Sequence, residues 1–108
     1  MPPASALAPR PLGRSRLPVS TLGFGGAPLG DLYAHLDEAT AVATVEAAIA
    51  GGVTLFDTSP LYGHGLSEHR IGAALRRVPH KGLVLSTKIG RVAEPFAGRG
   101  DGSGYRGG

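Results

Sequence analysis

The sequence predicts an α/β protein in which short parallel strands alternate with helices. Apolar stretches of strand length recur at residues 17–24, 53–57 and 83–88, and two helix-patterned stretches, 37–50 and 67–78, follow the first and second of them. The step from Asp57 to Lys88, 31 residues, is the length of one strand–helix–strand unit. Two architectures carry such a pattern, an open doubly wound sheet and a closed (β/α)8 barrel.

The first strand is expected at residues 17–24, running into Gly23-Phe24-Gly25-Gly26. The helix over 37–50 has Asp37 to cap it, Glu38 at the positive end of its dipole, and Gly51-Gly52 to stop it. Val42, Val45 and Ile49 share one face at helical spacing. Val53-Thr54-Leu55-Phe56-Asp57 is the second strand. Ser67 is expected to cap the second helix, with Leu66 before it and Ile71 after it forming a hydrophobic staple. Ile71, Ala74, Leu75 and Val78 give that helix its buried face, Arg76 and Arg77 suit its last turn, and Pro79 ends it. Leu83-Val84-Leu85-Ser86-Thr87-Lys88 is the third strand.

Flanking segments read differently. Pro2, Pro3, Pro9 and Pro11 mark residues 1–11 as a loose leader. Residues 92–108 form a Gly-rich tail expected to be disordered, and its Arg99-Gly100-Asp101 is the chance product of that composition. Residues 12–91 remain as the folded domain.

Composition narrows the function. Hydrophobic residues are 42% of the chain, enough for an ordinary core, and aromatics only 6% with no Trp, so that core is aliphatic. The net charge of +3 comes from arginines scattered along the chain rather than clustered among aromatics, which argues against nucleic-acid binding. Without cysteine there is no disulfide, thiolate chemistry or Cys-ligated zinc. No apolar run reaches membrane-spanning length and no secretory signal is visible, so the expected location is the cytoplasm. The spacing of His35, His69 and His80 suggests no metal site, and His64, between two glycines, reads as a solvated loop residue that would otherwise touch a substrate hydroxyl.

The chemistry-bearing residues gather at strand ends. Asp57 and Lys88 each close an apolar strand, and in a parallel sheet those ends lie on one face. Tyr62 follows in the loop Asp57-Thr58-Ser59-Pro60-Leu61-Tyr62-Gly63. A free phenol has a pKa of about 10. A nearby ammonium favours the phenolate, and a carboxylate holds that ammonium in place, so the trio can make a proton donor or acceptor. Spacing alone also allows plain roles: Asp57 as a turn cap, Lys88 as a solvated side chain, Tyr62 as a packing residue.

The blocks Leu22-Gly23-Phe24-Gly25-Gly26-Ala27, Gly52-Val53-Thr54-Leu55-Phe56-Asp57-Thr58-Ser59-Pro60-Leu61-Tyr62-Gly63, Ser67-Glu68 and Ser86-Thr87-Lys88 together resemble the opening of the aldo/keto reductases, over residues 12–91. Ala27-Pro28-Leu29-Gly30 with Leu61-Tyr62-Gly63-His64-Gly65 looks most like the branch that oxidises aldoses or pyridoxal. Gly23-Phe24-Gly25 lacks the third glycine of a dinucleotide fingerprint, which disfavours the open sheet. The resemblance implies the N-terminal portion of a (β/α)8 (TIM) barrel, about three strands and two helices of it. It also implies NADP or NAD as cofactor, and hydride transfer to or from a small carbonyl or sugar substrate.

By the same resemblance Tyr62 is the proton donor or acceptor and Lys88 the residue that tunes it. Asp57 is the carboxylate paired with Lys88 near the nicotinamide ribose, and Gly23, Phe24, Gly25, Gly26 and Ala27 line the nicotinamide end. The family's fourth catalytic residue, a histidine on the next strand, has no counterpart here, and a full barrel needs about 250 residues. The expectation is therefore a truncated chain, inactive and unstable alone. Its alternatives are the remnant of a frameshifted gene and an interaction module completed by a partner chain.

Overall fold

The computed structural model describes residues 7–79, 81–93 and 105–107. At its centre lies a parallel three-stranded sheet in the order β3-β4-β5, formed by Phe24–Gly25 (β3), Leu55–Asp57 (β4) and Val84–Ser86 (β5). Helix α1 (Glu38–Ala50) joins β3 to β4 and helix α2 (Leu66–Leu75) joins β4 to β5. The α/β class and the order of elements agree with the sequence pattern. The sheet is open at β3 and β5 among the described residues.

Helix α1 forms as its sequence dictates. Asp37 is extended, and its carboxylate accepts the Thr40 amide hydrogen at 2.7 Å. Gly51 closes the helix, and Gly52 turns the chain with φ +100°. Ala41, Val42 and Val45 are buried, and Ile49 packs against the same core. Phe56 is the centre of that core: it is fully buried, faces Phe24 at a ring separation of 5.3 Å, and joins Leu29, Ile71 and Ala74.

The expected strand over 17–24 is two separate strands. Pro18–Ser20 (β2) pairs antiparallel with Pro9–Pro11 (β1), and only Phe24–Gly25 enters the parallel sheet. The break falls where Ser20 Oγ donates to the Leu22 carbonyl at 2.7 Å and the chain bends. This hairpin corrects the reading of residues 1–11 as loose, at least for 9–11: proline still offers its carbonyl, and such strands are tolerated at an edge. Ser20 and Thr54 exchange bonds at 2.8 and 2.9 Å, fastening the hairpin to the N-terminal end of β4, opposite Asp57.

The second helix departs from its expected start. Gly65, at φ +95°, is the N-cap, and Leu66 is the first helical residue rather than the one before a cap. Ser67 caps nothing. Backbone carbonyls of the preceding turn already take the first amides: Gly63 accepts from Leu66 at 3.2 Å and Tyr62 from Ser67 at 3.1 Å. The helix ends at Leu75, so Arg76 is its C-cap and Arg77 lies outside it, reaching Glu46 of α1 at 3.8 Å.

The third strand is shorter than expected and stops at Ser86, two residues before Lys88. Beyond it, Arg91–Ala93 (β6) pairs antiparallel with Tyr105–Gly107 (β7). The expectation of a structureless tail over 92–108 is thus corrected for both strands, because ladder bonds need only backbone N–H and C=O, which glycine carries as well as any residue. Arg99-Gly100-Asp101 and the rest of that stretch lie outside the described residues, as does His80.

Candidate active site

Parallel register aligns Gly25, Asp57 and Ser86 in one row across the ends of the three strands. Side chains in such a row share a face of the sheet, and alternate residues along an extended chain do so too. Lys88, two positions past Ser86, therefore reaches back over the row. Its ammonium donates to Asp57 Oδ2 at 2.9 Å and to the Thr58 carbonyl at 2.9 Å. The same nitrogen stands 5.3 Å from the centre of the Tyr62 ring. The structure brings together the three residues singled out by sequence.

Electrostatics follow from this geometry. The Lys88 hydrogen bond holds the Asp57 carboxyl below its ordinary 3.8, against the opposing pull of partial burial, with smaller help from Ser86 and from the Lys88 charge. Asp57 in turn raises Lys88 above its ordinary 10.5, with lesser contributions from Tyr62. Stability from the depressed carboxyl is present above its unfolded value and lost as pH falls through its folded one. Stability from the raised ammonium is present below its unfolded value and lost as pH rises through its folded one. The pair is intact between those limits, a window that includes neutral pH. Lys88→Met is expected to move the Asp57 titration upward toward 3.8, read from its side-chain carboxyl carbon by NMR; an unmoved titration would show that the contact does not persist in solution.

The glycine loop divides into two kinds of position. A Cβ on Gly26 would come within 2.8 Å of both the Asp57 carbonyl and Ser67 Oγ, so its missing side chain serves packing. A Cβ on Gly25 would meet nothing within 4 Å, which leaves open space in the row beside the Asp57 carboxylate. Gly23 packs on the Leu55 side chain, Phe24 turns its ring to Phe56, and Ala27 opens the 3-10 turn Ala27–Gly30. His64 is exposed with a left-handed backbone at φ +55°.

Sequence reasoning missed the scaffold beneath the trio. Ser67 is fully buried; its hydroxyl donates to the Gly26 carbonyl at 2.8 Å and shares a hydrogen bond with Thr58 Oγ1 at 2.7 Å. It ties the glycine loop to the residue whose carbonyl receives Lys88. Thr87 Oγ1 donates to Glu68 Oε2 at 2.7 Å, anchoring the residue before Lys88 to α2. The adjacent Ser67-Glu68 pair was visible as a motif, but nothing local distinguishes a helix cap from a cross-strand tie. Ser59, Pro60, Leu61, Lys88, Ile89 and Arg91 line a cavity of about 250 Å³ beside the ammonium.

The family profile described as "Aldo/keto reductase family" matches residues 21–105, and the chain belongs to that family. The match continues past Arg91 into the stretch that composition marks as a tail. Pyridoxal 4-dehydrogenase of Microbacterium luteolum is 48% identical over 83 residues, which are 77% of this chain and 24% of that protein. L-galactose dehydrogenase of Arabidopsis thaliana is 45% identical over 89 residues, 81% of this chain and 28% of that one. Among solved structures, the holo form of an aldo-keto reductase from Bacillus halodurans superimposes with a TM-score of 0.70 at 33% identity, covering 86% of this chain and 28% of that one. The chain thus spans about a quarter of the length of the relatives it matches. The resemblance to the pyridoxal and sugar dehydrogenase branch agrees with these relatives. No helix among the described residues is long and apolar enough to cross a membrane.

Proposed function

We propose that this chain is the segment of a nicotinamide-dependent aldo/keto reductase barrel that supplies the proton-transfer trio for interconverting a small carbonyl compound and its alcohol. The observation that carries this reading is the Lys88 ammonium, 2.9 Å from Asp57 and 5.3 Å from the Tyr62 ring, at the ends of parallel strands.

The residues present suit a dinucleotide. Gly25 leaves space beside Asp57, whose carboxylate can accept from a ribose hydroxyl. NADP or NAD, when bound, supplies or receives the hydride. This chain's part is the proton transfer. In reduction the Tyr62 hydroxyl gives its proton to the carbonyl oxygen; in oxidation the phenolate takes the alcohol proton. Lys88 holds its positive charge over the Tyr62 ring, 5.3 Å from its centre. Asp57 and the Thr58 carbonyl keep the ammonium charged and aimed. Pro60, Leu61 and Ile89 give the cavity beside Lys88 an apolar, solvent-open wall. The substrate class proposed is an aldehyde, ketone or sugar hydroxyl, in line with the pyridoxal, L-galactose and D-threo-aldose of the relatives' names.

The test is a chimera in which this chain replaces the matching quarter of the Microbacterium luteolum dehydrogenase. Turnover of pyridoxal or an aldose with NAD or NADP is expected. A folded chimera that binds nucleotide and shows no turnover sinks the reading.

A further inference from the structure

Gly30 lies directly against the peptide that carries Tyr62. A Cβ on Gly30 would overlap the Tyr62 carbonyl carbon, and would come within 2.5 Å of its oxygen and 2.6 Å of the Gly63 nitrogen. Reciprocally, a Cβ on Gly63 would come within 2.7 Å of the Gly30 carbonyl oxygen and 2.8 Å of its Cα. The chain after Tyr62 runs through three left-handed residues, Gly63, His64 and Gly65 at φ +69°, +55° and +95°, and its two glycines are free to turn either way, so local preference does not fix its path. Where Tyr62 points is therefore decided by what this turn rests on, and it rests on Gly30.

Gly30 is itself held from both sides by one buried side chain. Arg70, 4% exposed on α2, donates through Nη1 to the Leu29 carbonyl at 2.9 Å and to Asp31 Oδ1 at 3.1 Å. Leu29 and Asp31 are the two neighbours of Gly30. The remaining bonds run from Nη2 to the Leu36 carbonyl at 2.6 Å and from Nε to Glu38 Oε1 at 3.1 Å. A buried guanidinium persists only when its donors are engaged, and these bonds spread along the loop after β3 and onto Glu38, the first residue of α1. Helix α2 begins where the Tyr62 turn ends, so the helix that follows the turn also grips the platform beneath it.

We propose that Arg70 and Gly30 are positioning residues for Tyr62: Arg70 fixes the residues on either side of Gly30, and Gly30 fixes the Tyr62–Gly63 peptide. Their relevance to catalysis rests on Tyr62 being the proton donor; their effect on its placement does not.

The test reads geometry in the 108-residue chain itself or, should the parent chain lack core methyl signals, in the chimera carrying the same variants, with the two lysine signals assigned by Lys81→Arg and Lys88→Arg. Lys81 and Lys88 are the chain's only lysines, so it carries two lysine ε-methylene signals. The Tyr62 ring shields Lys88, and Lys81 serves as the internal reference. Tyr62→Ala calibrates complete loss of that shielding. Gly30→Ala is expected to move the Lys88 signal most of the way to the calibrated position, and Arg70→Lys part of the way, with the Lys81 signal and the Val45 and Ile71 methyl signals unchanged. Folded Gly30→Ala with the Lys88 signal at its original position overturns the proposal. Should Gly30→Ala and Arg70→Lys lose the core methyl signals, Asp31→Asn decides, because it weakens one bond of the grip at a partly exposed site: a shifted Lys88 signal supports the proposal and an unshifted one overturns it. A shifted lysine signal alongside an inactive chimera counts against the catalytic reading of Tyr62, and leaves the positioning intact.

Discussion

Tyr62→Phe, introduced into the chimera, is expected to lower turnover by about 10²–10⁴-fold, the range that a positioned general acid contributes. The ring is retained, so its packing and its contact with Lys88 at 5.3 Å survive. Only the hydroxyl is lost, and with it the atom proposed to exchange a proton with the substrate oxygen. The loss should fall on kcat rather than on nucleotide affinity, because the proposed nucleotide contacts lie at Asp57 and residues 23–27. Single-turnover kinetics with a nucleotide-binding titration separates the two. A variant that keeps parental turnover would remove Tyr62 from the mechanism and leave the Asp57–Lys88 pair without a phenol to serve.

Phe56→Ala carries the largest expected effect on folding. Phe56 is fully buried in the middle strand of the sheet, aligned with Phe24 on one side and Leu85 on the other. Removing a buried phenyl ring costs about 3–5 kcal/mol in lost transfer energy and residual cavity. That is comparable to the lower end of the total stability of a folded domain, about 5–15 kcal/mol. Urea unfolding should show the transition displaced to far lower denaturant or absent, while Phe56→Leu, close in volume, keeps most of the stability. An unchanged midpoint for the alanine variant would mean that this ring is not the centre of the core. Because Asp57 is the next residue, the same substitution should also loosen the Lys88 contact.

The two outcomes bear on how the site is written in the chain. Asp57 closes the second apolar strand in both pattern and structure, and α1 starts at the Asp37 side-chain cap and stops at Gly51. Those features are local: a cap bonds an amide three residues away, and a strand end is marked by the change from apolar to polar. Lys88 was legible as a residue and not as a position. It lies beyond the strand rather than at its end, and its ammonium reaches Asp57 only because β5 pairs with β4 in the register Asp57 to Ser86.

Amino-acid order by itself determined the alternation of strands and helices, the identity of the acid, phenol and amine, and the family they point to. Tertiary structure alone decided the hairpin of β1 with β2, the pairing of β6 with β7, the burial of Ser67 between Gly26 and Thr58, and the grip of Arg70 on the residues around Gly30. The division has one physical cause. Local structure depends on contacts a few residues apart, which periodicity and capping chemistry express directly. The bonds of Ser67 and Arg70 to the segment after β3 and the first residue of α1 cross 32 to 41 residues of sequence, and which groups meet across such a gap is set by how helices and sheet pack. The acid, the amine and the phenol that the sequence names are brought together by contacts that no local pattern expresses.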